Sequence, residues 1–294
     1  MQTEALDIKI PSSTKEWEDI RADFQSKSTN GFIHGCVGAI DGYLQEIIAP
    51  TMRDTLGNVD AFFSGHYLVY GINCIAVCDA QLRFLYFGVV SPGKTNDNVS
   101  FRRTEGLIEA INRLPQGLFL VGDAAFTLSE NLLIPFVGCL AGEVEKDAYN
   151  FHISQLRIRI EMAFGRLVKK FAILGTKMRT GIKNTTKILM SCARLHNYLI
   201  NKRAELMDED GNEDCDNNEA DALMVRMGPC GMQYLPSLPE SFEEIEGYSQ
   251  IRQSILDSIQ KKKIRRPNYN IERNRQRAIV NSFRDIPREY FHPR

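Results

Sequence analysis

Val37-Gly38-Ala39-Ile40-Asp41 is a short apolar run that ends in an acid, and Leu118-Phe119-Leu120-Val121-Gly122-Asp123 repeats the arrangement downstream. Such runs read as buried strands, which places Asp41 and Asp123 at strand tips. Between them, residues 68–78 and 82–90 are apolar, β-branched and aromatic, and Asp79-Ala80-Gln81 has turn character, so the pair reads as a hairpin. With the strand leading into Asp41 they make three consecutive antiparallel strands. Ser91-Pro92-Gly93-Lys94-Thr95-Asn96-Asp97 then breaks regularity. A helix is expected over residues 101–112, a fourth strand at 118–121, and another helix over 129–135.

A third acid, Glu161, lies in Leu156-Arg157-Ile158-Arg159-Ile160-Glu161-Met162-Ala163-Phe164-Gly165-Arg166-Leu167, where apolar residues recur at helical spacing. Ser154 is the expected cap of this helix. Leu156, Ile160, Phe164, Leu167 and Phe171 form its buried stripe, and Glu161 lies beside that stripe. Gly165 costs roughly 1 kcal/mol of helix propensity relative to Ala, so it reads as a point of close helix-to-sheet approach. This element order is that of an RNase H-like α/β fold. The expected architecture is a mixed five-stranded sheet flanked by helices, with the first and fourth strands side by side, so that Asp41 and Asp123 meet under Glu161.

Outside this unit the chain changes character. Residues 1–30 read as an N-terminal extension in which Ser13-Thr14-Lys15-Glu16 forms a capping box ahead of Trp17, Ile20 and Phe24. Residues 31–201 form the α/β domain. Residues 202–240, with the acidic run 205–216, read as a disordered linker. Residues 241–294 read as a C-terminal helix and basic tail. There Ser241-Phe242-Glu243-Glu244 offers a second capping box, Ile245, Tyr248, Ile255 and Ile259 line one helix face, and Lys261-Lys262-Lys263-Ile264-Arg265-Arg266 begins the basic tract. That tract suits phosphate binding, nuclear import or folding back on the acidic linker, three uses the sequence does not rank.

The 294 residues are 43% hydrophobic and 25% charged, which is ordinary for a globular chain able to bury a core. A net charge of -1 argues against a uniformly basic nucleic-acid binder and leaves room for a local basic patch. The seven cysteines form no C-x-x-C pair, which fits a reducing compartment, nucleus or cytosol. The N-terminus has neither a basic nor an apolar signal region, and no apolar run approaches membrane-spanning length. Neither secretion nor a membrane span is expected.

Two strand-end acids and a helix acid can converge on hard divalent cations, which take oxygen ligands and keep waters that substrate phosphates replace. Nuclease or transferase chemistry follows. Each acid also has a plainer reading. Asp41 can belong to an Asp-Gly turn, Asp97 can cap the helix after it, and Asp60 and Asp79 suit turns. Glu161 can pair with Arg157 one turn back, although that order contributes only about 0.2–0.5 kcal/mol. His152 and His196 read as structural histidines, Cys74 and Cys78 as core. The cations from Arg157 to Lys187, among them Arg166, Lys169 and Lys170, can track a DNA backbone.

Several motifs together resemble the PIF/Harbinger-type DDE transposases and the host nucleases derived from them. They are Gly38-Ala39-Ile40-Asp41-Gly42, Ser91-Pro92-Gly93-Lys94-Thr95-Asn96-Asp97, Val121-Gly122-Asp123, the block from Asn150-Phe151-His152 to Phe171, and Leu195-His196-Asn197. The resemblance runs from about residue 31 to 201. It implies DNA cleavage by an acidic triad, Asp41, Asp123 and Glu161, holding two Mg²⁺ or Mn²⁺ ions. Asp97 and Arg157 are its candidate supporting residues, and Lys94, Arg166, Lys169 and Lys170 its candidate DNA contacts. It further implies DNA as the partner, nuclear residence and a separate Myb-like DNA-binding protein, and it leaves homo-oligomerisation open. Two segments depart from the pattern: Tyr43-Leu44 follows Gly42 where many relatives have Thr or Cys and then His, and Ser64-Gly65-His66 stands where others carry Arg-Lys. Relatives also tend to have a helical DNA-binding region ahead of the domain, and only 40 residues precede Asp41, so a truncated or domesticated copy is expected.

Ile40-Asp41-Gly42 also echoes haloacid-dehalogenase phosphatases. Their nucleophilic Asp would fall at Ala39, where no phospho-aspartate can form. The remaining alternative is a catalytically silent DNA-binding or scaffold protein that keeps the fold.

Overall fold

The computed structural model describes residues 6–138, 143–210 and 248–266. Its sheet is built around β1 (Cys36–Glu46) and β3 (Val69–Cys78). Every residue of β3 from Gly71 to Cys78 is buried, so its apolar, β-branched sequence has both faces to cover and takes the central position. β1 pairs antiparallel with β3 from Ala39↔Cys78 to Glu46↔Gly71, and β4 (Phe84–Pro92) flanks β3 on the other side. β5 (Phe119–Val121) lies parallel to the first half of β1, and β6 (Leu132–Leu133) lies parallel to β5. The main sheet therefore runs β4-β3-β1-β5-β6, with β2 (Phe63–Ser64) as a two-residue ladder on the start of β3. This mixed sheet flanked by helices is consistent with an RNase H-like fold. The turn into β5 depends on Gly35, because a Cβ there would lie 2.2 Å from the Gly117 carbonyl oxygen, while its own carbonyl accepts the Phe119 N–H at 2.9 Å.

Among the described residues, six helices flank the sheet: α1 (Thr14–Lys27), α2 (Asp97–Arg102), α3 (Glu105–Asn112), α4 (Val144–Lys170), α5 (Ile182–Asp210) and α6 (Gln250–Lys262). The capping box at Ser13 and Glu16 forms as expected, and α1 buries Ile20 and Phe24 against the core. Residues 1–30 are thus no loose extension where they are described. Thr29 adds hydrogen bonds to Gln155 of α4. The hairpin turn is held by Asp79, whose carboxylate accepts the N–H groups of Gln81 and Arg83 and pairs with Arg83 Nε at 2.6 Å.

Four expectations are corrected. Residues 129–135 are not a helix: Leu132 and Leu133 are fully buried as β6, the Leu120 and Gly122 N–H groups donate to the Asn131 and Leu133 carbonyls, and Pro135 cannot extend a helix ladder. Helix α4 begins at Val144, ten residues before Ser154, which therefore caps nothing. The helix expected over 101–112 is two helices broken around Thr104, and the cap of the first is Asn96, not Asp97. Helix α5 continues to Asp210 past the expected linker start at 202, with Lys202 paired to Glu205 across one turn. Residues 211–247 and 267–294, with the Ser241 capping box, Ile245 and most of the basic tail, lie outside the described residues. Helix α6 is capped by Ser249, and Tyr248 sits exposed ahead of it while Ile259 is buried.

Candidate active site

Asp41 stands midway along β1, not at its tip. The parallel pairing with β5 ends at Ala39↔Val121, so beyond this point β1 continues with β3 alone, and Asp123 follows two residues after the end of β5. The two acids thus face each other where one strand stops and its neighbour runs on. Side chains alternate along a strand. Asp41, Tyr43 and Gln45 share the face turned to α4 and the segment after it: Tyr43 stacks on Phe164 at 5.3 Å, and Gln45 donates to the Thr176 carbonyl at 3.2 Å. Tyr43, one of the departures from the resemblance pattern, thereby pins α4 to β1 one turn beyond Glu161.

Asp97 reaches the same locality from the other pleat of β1. An ideal Cβ on Gly42 would lie 2.3 Å from Asp97 Oδ1, so only glycine at 42 admits that carboxylate. Asn73 Nδ2 donates to Asp97 Oδ1 at 3.2 Å and to the Thr95 carbonyl at 2.7 Å, and it lies 3.5 Å from Ser100 Oγ, itself 2.6 Å from Ser91 Oγ. This supporting set is absent from the sequence reading. Its signal is Asn73 itself, a polar residue in the middle of an otherwise apolar central strand.

Burial, and then the Asp123 carboxylate, push the Asp41 proton affinity well above the ordinary carboxylate range, against the pull of Arg157. Burial likewise raises Asp123, opposed by its hydrogen bond from the Ala125 N–H and by Arg157. Asp97 is pushed up to about 6, by burial first and by Asp123 second. Three carboxylates therefore repel one another in a partly desolvated place. Arg157 acts on Asp41 and Asp123, and its Nη1 lies 3.9 Å from Asp41 Oδ2 and 2.6 Å from Glu161 Oε1. Glu161 is 29% exposed and held by this arginine.

All the acids expected from the sequence lie in this locality, joined directly or through Arg157. The donor set is all oxygen and its charge calls for a cation, which fits a hard divalent ion. The side chains are not closed around one point: among the described residues, no three His, Cys, Asp or Glu groups are placed to hold a metal ion together. The expected DNA contacts divide. Lys94 is exposed in the loop just before Asp97, and Lys169 and Lys170 are exposed at the end of α4. At about 100° per residue, Arg166 and Lys170 are turned roughly 140° and 180° from Glu161, and Arg166 acts electrostatically on His196.

His152, His196, Cys74 and Cys78 are buried, whereas His66 acts electrostatically on Asp97. His152 packs between Phe32 and Phe151, and burial lowers its proton affinity. The His196 ring Nε2 lies 2.8 Å from the Leu82 carbonyl oxygen, and burial lowers its pKa to about 4. Cys74 and Cys78 are fully buried free thiols in β3. No helix among the described residues is long and apolar enough to cross a membrane.

Residues 40–197 match the family model described as DDE superfamily endonuclease. No curated protein and no solved structure matches the chain. The family is of the transposase nuclease type, generally uses divalent metal ions and has DNA as its substrate. The matched segment opens one residue before Asp41, takes in Asp97, Asp123, Arg157 and Glu161, and covers more than half of the sequence, so the chain belongs to the DDE superfamily endonucleases.

Proposed function

We propose that this protein is a divalent-metal-dependent DNA endonuclease, a Harbinger-like transposase or a truncated or domesticated descendant of one. The observation that carries the reading is the meeting of half-buried, mutually repelling Asp41, Asp97 and Asp123 beside the Arg157–Glu161 pair, at the point where β1 outruns β5. Clustered carboxylates with raised proton affinity are costly to a fold and are typical of functional sites. Asp41, Asp123 and Glu161 would together hold two Mg²⁺ or Mn²⁺ ions. When bound, such ions activate a water or 3′ hydroxyl and neutralise charge on the scissile phosphate and the departing oxygen. Asp97 holds its place over Gly42 and adds negative charge to the site, while Lys94 is exposed where it can meet the DNA backbone. The substrate implies nuclear residence, and the resemblance a Myb-like partner, which co-purification with the full chain would reveal.

The test is nicking of supercoiled plasmid by the purified chain in Mn²⁺, compared with Asp41→Asn, Asp123→Asn and Glu161→Gln. Loss of nicking by orders of magnitude in each variant, with unchanged circular dichroism, is the expected result. A second reading, a DNA-binding scaffold without turnover, is favoured by Glu161 being engaged by Arg157 instead of grouped with the aspartates. Metal-independent DNA binding that survives all three substitutions, with no nicking by the parent chain, would establish it in place of the nuclease.

A further inference from the structure

Arg157 occupies a place that the metal chemistry itself makes contentious. One and the same Nη1 atom lies 2.6 Å from Glu161 Oε1 and 3.9 Å from Asp41 Oδ2, which sets the guanidinium between the acid of α4 and the acid of β1. The side chain is only 20% exposed, so water screens this charge poorly. Guanidinium stays protonated at all working pH values and presents a rigid fork of donors. It acts on both Asp41 and Asp123, against the repulsion between them. Arg ahead of Glu at this spacing is also the less favourable order for helix stability, so the helix alone gives little reason for the pair.

A divalent ion bound by Asp41 would make the same demand on these carboxylates and would repel a guanidinium a few ångströms away. The ion and the guanidinium would therefore compete for the Glu161 carboxylate, whose Oε1 Arg157 now holds. While Arg157 keeps it, Glu161 is not grouped with two other acids, in agreement with the spacing of the site. We propose that Arg157 is an exchangeable counter-ion: it balances the acid cluster and restrains Glu161, then cedes that oxygen to the incoming ions and turns its donors outward to the DNA phosphate. The exchange rests on the nuclease reading above. Arg157 is on this view a positioning residue that sets how much cation the site demands before it closes.

The test uses the full chain and Arg157→Met, which keeps length and loses charge, with Arg157→Lys as the charge-retaining control. Mn²⁺ binding is measured by isothermal titration calorimetry, and thermal unfolding is followed with and without Mn²⁺. The exchange predicts that Arg157→Met binds Mn²⁺ several-fold more tightly than the parent, melts lower without metal and gains more from Mn²⁺. Arg157→Lys should stay near the parent in affinity. Should Arg157→Met fold only with Mn²⁺ present and unfold on chelation, the proposal is supported; failure to fold even with Mn²⁺ overturns it. Equal or weaker Mn²⁺ binding by Arg157→Met, with the parent binding normally, overturns the exchange and leaves the nuclease reading standing. Absence of Mn²⁺ binding by the parent removes both.

Discussion

The acid cluster trades stability for charge, and single residues make that visible. The charge on Asp41 is opposed by burial and by Asp123, and its amide analogue keeps shape while removing one repelling charge. Asp41→Asn should therefore raise the metal-free unfolding free energy, because it removes a charge that burial and Asp123 both oppose, and abolish nicking. Denaturant melts and the plasmid assay measure the two effects on the same preparation. Gly42→Ala tests the close approach of Asp97: its Cβ would collide with the carboxylate and cost about 1–3 kcal/mol. The double variant Gly42→Ala/Asp97→Ala should recover most of that loss, whereas additive losses would mean the clash lies elsewhere. His196 supplies a pH signature. Its folded pKa of about 4 lies below the ordinary 6.5, so above 6.5 the neutral ring costs nothing, and as pH falls from 6.5 to about 4 protons favour the unfolded chain. Stability should decline through that window, and His196→Gln should flatten the decline in denaturation curves taken at half-unit steps. The acids were readable from strand and helix context, but the spacing of Asp97 over Gly42 was not, because an Asp-Gly step looks the same in a turn and inside a strand.

At the scale of elements, long periodic segments were legible and short ones were not. Strands β1, β3 and β4 announce themselves through runs of β-branched and aromatic residues, whereas β6 has two residues whose strand character comes entirely from pairing with β5. A two-residue strand carries no period, so only its neighbour can define it. Asn197 shows how such partnerships are sealed. Among the described residues strand β4 pairs with β3 alone, and at its start the Asn197 amide of α5 accepts from the Phe84 N–H at 2.7 Å and donates to its carbonyl at 2.8 Å. Leu195-His196-Asn197, one of the motifs of the resemblance, is in this respect a clamp between α5 and the sheet. Asn197→Ala leaves two buried backbone groups unpaired, each costing about 1–3 kcal/mol. A fall of several degrees in melting temperature with Mn²⁺ affinity preserved is expected from calorimetry; a loss of Mn²⁺ binding instead would give the motif a role at the site.

On the scale of the whole molecule, the position of α6 asks whether residues 248–266 belong to the same cooperative unit as the sheet. The Glu130 carboxylate, on the loop leading into β6, accepts the N–H groups of Gln250 at 2.7 Å and Ile251 at 3.1 Å, satisfying donors that a helix start leaves open. The Arg252 guanidinium lies 3.4 Å from the centroid of Phe136, Arg266 pairs with Asp147 at 3.3 Å, and Ile259 is buried to 1%. Where described, the basic tract thus engages α4 through Arg266. These contacts attach α6 to α4, the helix that also carries Arg157 and Glu161, but by its N-terminal half and not at the acids. An intramolecular attachment of this kind opens locally when its anchor is lost, without unfolding what it leans on. Ile259→Asp puts a charge where an apolar anchor was, so hydrogen exchange should show α6 amides losing protection while β1, β3 and β4 keep theirs and Mn²⁺ binding persists. Uniform loss of protection across sheet and helix would instead make α6 part of the folding core, and truncation ahead of residue 248 would then be fatal to the fold.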